Sequence, residues 1–188
     1  MTSAPEKLSA NSTPLCVDLD GTLIAGDSLG VSLRLVARRQ PWRLFPAALA
    51  VLGGRATFKR YVASCAIPEA TSLPWRESVV AFLRSEHASG RRVILATAAD
   101  HRIAACVAAH LQVFEAVIST EGPENRRGAA KLAAIRNLLG DREFDYIGDS
   151  LVDLPVLLAA RKAYLVAPSP ALFRRLTRLR PVERVFEA

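Results

Sequence analysis

Two short runs of acids stand where chemistry can happen. Asp18-Leu19-Asp20-Gly21-Thr22 follows the apolar Leu15-Cys16-Val17, and Gly148-Asp149-Ser150 follows Tyr146-Ile147, with Asp153 four residues beyond Asp149. Carboxylates at i and i+2 on a strand end project past its C-terminal edge, where open α/β sheets place their ligands. The pair Asp18 and Asp20 suits a divalent cation and a phosphoryl group, because a hard ion such as Mg²⁺ takes few carboxylates and keeps waters or phosphate oxygens. An Asp held beside it can act as a nucleophile and form an aspartyl phosphate. Asp149 can join the metal, and Asp153 can hold the metal or its water from the next turn. Each motif alone has a plainer reading: Asp-Gly closing a strand as an Asx turn, or Asp149 capping the following helix. Two strand ends of one sheet that both present acids favour the metal reading.

A third apolar run, Val93-Ile94-Leu95-Ala96, ends in Thr97-Ala98-Ala99-Asp100. It places the Thr97 hydroxyl and then small residues, Ala98 first, whose backbone N–H groups can face an anion at a helix start; Asp100 reads as the helix cap. Positive charge for a phosphoryl group can come from Arg127, in Asn125-Arg126-Arg127-Gly128, or from Lys131 one helical turn later on the same face. What is needed is fixed charge at the phosphoryl oxygens.

These residues require a sheet edge to hold them together. Short apolar runs at 15–17, 92–96, 116–118, 145–147 and 163–166 alternate with helical periodicity at 75–89, 102–111, 128–139 and 154–161, the rhythm of a parallel α/β sheet. Gly90, Gly140 and Pro168 with Pro170 end the helices. The connection from residue 26 to residue 74 is too long for a plain loop and reads as a helical insertion. Helical spacing occupies 29–36 and 57–65 within it, broken at Gln40-Pro41, Gly53-Gly54 and Pro68. The expected organisation is a doubly wound core over 14–25 and 75–170, a helical cap over 26–74, a flexible N-terminus over 1–13 and a basic C-terminal segment over 171–188.

From residue 14 to about residue 169 the chain resembles the haloacid dehalogenase superfamily of phosphohydrolases. Asp-x-Asp-Gly-Thr and Gly-Asp-x-x-x-Asp carry the resemblance. It implies a Rossmann-like core with a small helical cap after the first strand, as in phosphoserine-phosphatase-like members. It further implies Asp18 as nucleophile, Asp20 as general acid/base, Thr97 as a phosphate-binding hydroxyl, and Asp149 with Asp153 as Mg²⁺-site acids. In related sequences a Lys stands just before the Gly that opens the helix ahead of Gly-Asp, the place Arg127 holds here; that register favours Arg127, with Lys131 kept beside it. Leu-Cys-Val-Asp-Leu-Asp-Gly-Thr-Leu, Phe58-Lys59-Arg60 and Glu183-Arg184-Val185-Phe186 are also similar to the phosphatase-like domain that precedes membrane prenyltransferases of the UbiA type, where the membrane domain would begin after residue 188. The implied activity is phosphate monoester hydrolysis on a prenyl-linked, sugar or amino-acid phosphate, and the alternative is a regulatory or docking module beside a prenyltransferase.

Composition narrows the partners. With 188 residues, 51% hydrophobic and 23% charged, the chain is not disordered. The net charge of +7 is concentrated: Arg34, Arg38, Arg39, Arg43, Arg55, Lys59 and Arg60 fall in a stretch with no acid between Asp27 and Glu69. A basic cap suits an anionic substrate, and its Arg residues, alternating with Trp42, Leu44, Phe45 and Leu52, also fit an anionic membrane surface or simple solvation of long side chains. Aromatic residues are 6% and no recognition motif is present, which argues against nucleic acid. Three scattered cysteines indicate neither a disulfide framework nor a zinc site. The expected location is therefore the cytoplasm, peripheral to the inner membrane face. The greasy run 44–52 contains Pro46 and falls short of the roughly 20 residues that span a bilayer, and the polar start lacks a signal peptide's apolar region.

Overall fold

A computed structural model describes residues 12–121 and 126–187, so residues 1–11 of the expected N-terminal segment and Asn125 lie outside the described residues. Six strands form one sheet: β1 (Leu15–Val17), β2 (Val93–Asp100), β3 (Ala116–Thr120), β4 (Asp145–Gly148), β5 (Ala163–Val166) and β6 (Arg184–Phe186). They are ordered β3-β2-β1-β4-β5-β6 and every neighbouring pair is parallel. β1, β4 and β5 are buried throughout, the continuous apolar burial a parallel sheet needs when both faces are covered.

Alternation along β1 separates the two faces. Leu15 and Val17 pack with Val79 and Leu83 of α4 (Glu77–Ala88) and Ile103 and Val107 of α5 (His101–Leu111). Cys16 packs on the other side with Ile135 of α6 (Ala129–Leu139), Leu157 of α7 (Leu154–Ala159) and Leu172 of α8 (Pro170–Thr177). Burial pushes the Cys16 thiol up to about 12. The order reverses between β1 and β4, and that reversal is where a doubly wound sheet opens a crevice at the strands' carboxyl ends.

Between β1 and β2 the insertion holds α1 (Ser28–Arg39), α2 (Leu44–Ala50) and α3 (Arg55–Cys65) around a small cluster of Val36, Ala47 and Val62. Its departing and returning chains are stapled together. Ala25 N–H donates to the Pro74 carbonyl at 2.8 Å, and Arg76 N–H to that of Leu23 at 2.9 Å. The apolar run 44–52 is largely helical because Pro46 sits in the first turn of α2, where no backbone donor is needed.

Over its described residues, 171–187, the C-terminal segment does not stand apart from the core. Leu172 and Leu176 of α8 are fully buried, and residues 184–186 add β6 as the edge strand beside β5. The run of arginines masks this, because only every third or fourth residue of α8 turns inward.

At the opposite ends of the strands lies a buried ion cluster. Asp145, at the start of β4 and fully buried, accepts from Arg91, from the Arg161 guanidinium at 3.0 and 2.8 Å, and from the Lys162 backbone N–H at 3.0 Å. Removing one member of a buried cluster strands the others, at a cost of about 3 kcal/mol or more. Asp145→Ala is expected to lower the melting temperature by about 6 °C or more, at roughly 2 °C or more per kcal/mol for a domain this long. Differential scanning fluorimetry checks this, and an unchanged melting point would show the cluster to be dispensable.

Candidate active site

The acids converge at the reversal point. Asp18 follows β1, Asp149 follows β4, and Asp153 closes the short 3₁₀ turn Leu151–Asp153; oxygens of all three lie within 4.8 Å of one another. Three glycine and hydroxyl contacts set this geometry. Gly21 adopts φ +78°, and a Cβ there would meet Asp149 Oδ2 at 2.1 Å, so only glycine lets the loop after β1 pass the second acid. Thr22 Oγ1 donates to Asp149 Oδ1 at 3.0 Å, tying the first motif to the second. A Cβ on Gly148 would strike the Tyr146 ring at 2.7 Å.

Lys131 joins the acids from α6. It is 1% exposed, and its Nζ lies 3.0 Å from Asp18 Oδ2 and 2.8 Å from Asp153 Oδ1 and donates to the Tyr146 hydroxyl at 2.9 Å. Burial alone would lower its pKa, but the two carboxylates outweigh that and raise it. Burial, with Asp153 and Asp20 close by, holds the Asp18 carboxyl well above its ordinary range, against the pull of Lys131. Burial also raises Asp149, opposed by the Thr22 hydrogen bond. Three carboxylates against one ammonium leave an excess of two negative charges, the charge one divalent cation cancels. Oxygen donors at this mutual spacing fit a hard cation that keeps further positions for water or a phosphoryl oxygen.

The structure sorts the other expected site residues. Asp20, expected among the metal ligands, is not one of the three gathered carboxylates: its Oδ1 accepts from the Ser28 N–H at 2.8 Å, at the start of α1. Free N–H groups at a helix start attract a nearby carboxylate, which draws it from the cluster. Burial raises its pKa, opposed by the Ser28 bond. Thr97 is fully buried and its hydroxyl accepts from the Ala99 N–H at 3.0 Å, while Ala98 lines the cavity. Arg127, favoured by register, lines the cavity half-exposed, whereas Lys131 is the base brought into contact with Asp18. Asp100 caps α5, its Oδ1 accepting from the Arg102 N–H at 3.0 Å.

A cavity of about 300 Å³ spans these groups, lined by Asp18, Asp20, Asp149 and Asp153 from the core and by Leu29 and Lys59 from the insertion. Lys59 was not anticipated as a site residue. It is buried, and its Nζ donates to the Ala98 carbonyl at 2.8 Å. The available signal was register: Ala56, Lys59, Val62 and Ala63 share the buried face of α3. Thr22 and Tyr146, which stand within the two acidic motifs, supply the hydroxyls that meet Asp149 and Lys131.

Residues 53–158 match the haloacid dehalogenase-like hydrolase family, and the chain belongs to that family. The matched stretch holds Thr97, Lys131, Asp149 and Asp153, and begins after Asp18. A protein of unknown function from Bordetella pertussis Tohama I has the same fold, with a TM-score of 0.72 and 19% identity over 93% of this chain and 99% of that one. A HAD family hydrolase from Salmonella enterica serovar Typhi superposes with a TM-score of 0.64 and 15% identity over 93% of this chain and 66% of that one. A phosphoserine phosphatase with a phospho-aspartyl intermediate analogue gives 0.61 and 11% over 94% and 93%. An uncharacterised protein, y4nM, from Sinorhizobium fredii is 35% identical over 153 residues, 81% of this chain, and the chain spans only 30% of that relative's length.

A divalent cation at this cluster is open to direct test. Carboxyls held above their ordinary range bind more protons in the folded than in the unfolded state, so cation-free stability falls as pH rises through the raised values. A cation displaces those protons, so the gain in melting temperature on adding Mg²⁺ is expected to grow as the pH rises. At about 100 times its dissociation constant the cation adds about 2.7 kcal/mol of stability. Asp149→Asn, Asp153→Asn and Gly21→Ala are each expected to abolish it. A Mg²⁺ response that is absent, or unchanged by these substitutions, would sink the metal reading.

Proposed function

We propose that this protein is a Mg²⁺-dependent phosphatase that hydrolyses a phosphate monoester through an aspartyl phosphate on Asp18. The observation that carries the reading is the placement of Asp18 at the reversal point, among two further acids and within 3.0 Å of the buried Lys131 ammonium. Asp18, Asp149 and Asp153 would hold the ion. When bound, Mg²⁺ supplies positive charge that offsets the phosphoryl oxygens.

The residues' own tasks follow from their surroundings. An Asp18 carboxylate oxygen attacks phosphorus as the ester P–O bond breaks. Asp20, whose burial favours the protonated form, gives its proton to the leaving oxygen; as a base it then takes one from the water that attacks the phosphorus of the aspartyl phosphate and frees inorganic phosphate. The Ser28 N–H fixes the Asp20 carboxyl for both transfers. Lys131 restrains Asp18 and sets positive charge beside the transferring group, the role register had favoured for Arg127; Arg127 contributes charge from the cavity wall. Ala98 and the backbone after Thr97 lie beside the transferring group. Residues 26–74 act as a cap over the site, and Lys59 brings its charge to the cavity.

The lining favours a small polar ester, a sugar or amino-acid phosphate. Leu29 and Val152 are the larger apolar side chains on it, too little apolar wall for a prenyl chain. Because the chain is similar to less than a third of its longer relative, a docking module without turnover is the second reading, and the same assay separates the two.

With a generic aryl phosphate and Mg²⁺, Asp18→Asn is expected to abolish turnover. Asp20→Asn should lower it about 10²- to 10⁴-fold, the usual contribution of a positioned acid or base. Lys131→Ala is expected to cost about 10²-fold or more, as for other preorganised charges at a transition state, and Arg127→Ala less. Undiminished turnover in Asp18→Asn or Asp20→Asn would overturn the mechanism, and wild type inactive on every soluble ester would favour the docking module.

A further inference from the structure

The helical run 41–53 of the insertion is built with its large apolar side chains outward. Trp42, Phe45, Leu49 and Leu52, spaced three, four and three residues apart, share one face and are 70, 74, 53 and 87% exposed. Leu44 and Val51 flank them, also exposed. The inward face is small: Ala47 is the buried residue, with Pro46 and Ala50 half-buried. An ordinary surface helix turns its large apolar residues toward the core, and soluble chains rarely gather so many exposed ones in a dozen residues. None of residues 41–53 lines the catalytic cavity.

Charge identifies what covers this face. No acid occurs between Asp27 and Glu69. Arg34, Arg38, Arg39 and Arg60 are exposed, and Arg38 with Arg39 end α1 immediately before the apolar face begins. Within 41–53 the one charged residue is Arg43, which donates to Cys65 Sγ at 3.4 Å, so the outward face is poor in the polar groups that would set a register against a protein partner. Hydrocarbon needs no such register. A short apolar helix with aromatic side chains, bordered by arginines, matches the interfacial layer of an anionic bilayer: rings and leucines among the acyl chains, guanidinium groups on lipid phosphates.

We propose that the face formed by Trp42, Phe45, Leu49 and Leu52, with Arg38 and Arg39 beside it, is a membrane-docking surface for anionic lipid. This does not depend on the phosphatase reading. The test is flotation of the full chain with phosphatidylcholine vesicles, with and without phosphatidylglycerol. The expected result is binding that requires phosphatidylglycerol, weakens with salt, and shifts Trp42 emission to the blue, a shift lost in Trp42→Phe.

The combined variant Trp42→Ser, Phe45→Ser, Leu52→Ser is expected to fold normally, since all three side chains are exposed. It should bind at least about tenfold more weakly, given about 0.8 kcal/mol per buried methylene, and so should Arg38→Glu with Arg39→Glu. Neither change should alter turnover of a soluble ester or the Mg²⁺ response. Wild-type chain that stays with the unbound fraction, or a serine variant that binds equally well, overturns the proposal. A concentration-dependent dimer that the serine variant loses, without vesicle binding, assigns the face to a second copy and overturns it as well.

Discussion

A buried ammonium must be paired or hydrogen-bonded, and a buried carboxylate cluster must be answered by positive charge. Lys131 meets both conditions at once. Its contacts of 3.0 Å to Asp18 and 2.8 Å to Asp153 link the loop after β1, the turn after β4 and helix α6. The Tyr146 hydroxyl accepts a hydrogen bond from one of its three N–H groups, so the donors of this nearly solvent-free group have partners. One positive charge does not balance three acids, and the shortfall marks the place as a site. A structural ion cluster such as that of Asp145, where two guanidinium groups face one carboxylate, carries no such negative excess.

The sheet order makes this convergence possible. Only at the reversal between β1 and β4 do neighbouring strands send their following segments to opposite faces, leaving their carboxyl ends uncovered. Asp18 and Asp149 occupy those two ends, and the loop after β1 approaches so closely that Gly21 cannot bear a side chain. The same crowding orients Asp149 through Thr22. Glycine and threonine in the Asp-x-Asp-Gly-Thr run are thus as much a part of the geometry as its acids.

Much of this was legible in the sequence because it follows from short-range rules. Strand ends carrying acids, small residues closing β2 and an overlong first connection are visible one segment at a time. What stayed hidden depends on contacts across the fold. Asp20 belongs by spacing with Asp18, yet the start of α1, eight residues away, captures its carboxylate. Arg127 and Lys131 read from spacing as one helix face, yet α6 begins only at Ala129, so the helix carries Lys131 into the buried cluster and leaves Arg127 in the segment before it. The strand 184–186 is too short and too charged to declare itself without the edge of β5 to pair with. Lys59 is the exception, since its place on the buried face of α3 follows from the spacing of its apolar neighbours Ala56, Val62 and Ala63.

The insertion's excess positive charge therefore divides by direction. Lys59, on the buried face of α3, points inward and donates to the Ala98 carbonyl on the cavity wall. Arg34, Arg38, Arg39 and Arg60 are exposed, and α2 between them presents bulky apolar residues to solvent. A charge whose work is to draw an anion into a small cavity gains from being near it, because screening in salt limits its reach to about 8–10 Å. Arginines spread over the outer helices beside an inverted apolar face fit an extended anionic surface better than a small ester. Within the net charge of +7, Lys59 and the exposed arginines therefore face different surroundings.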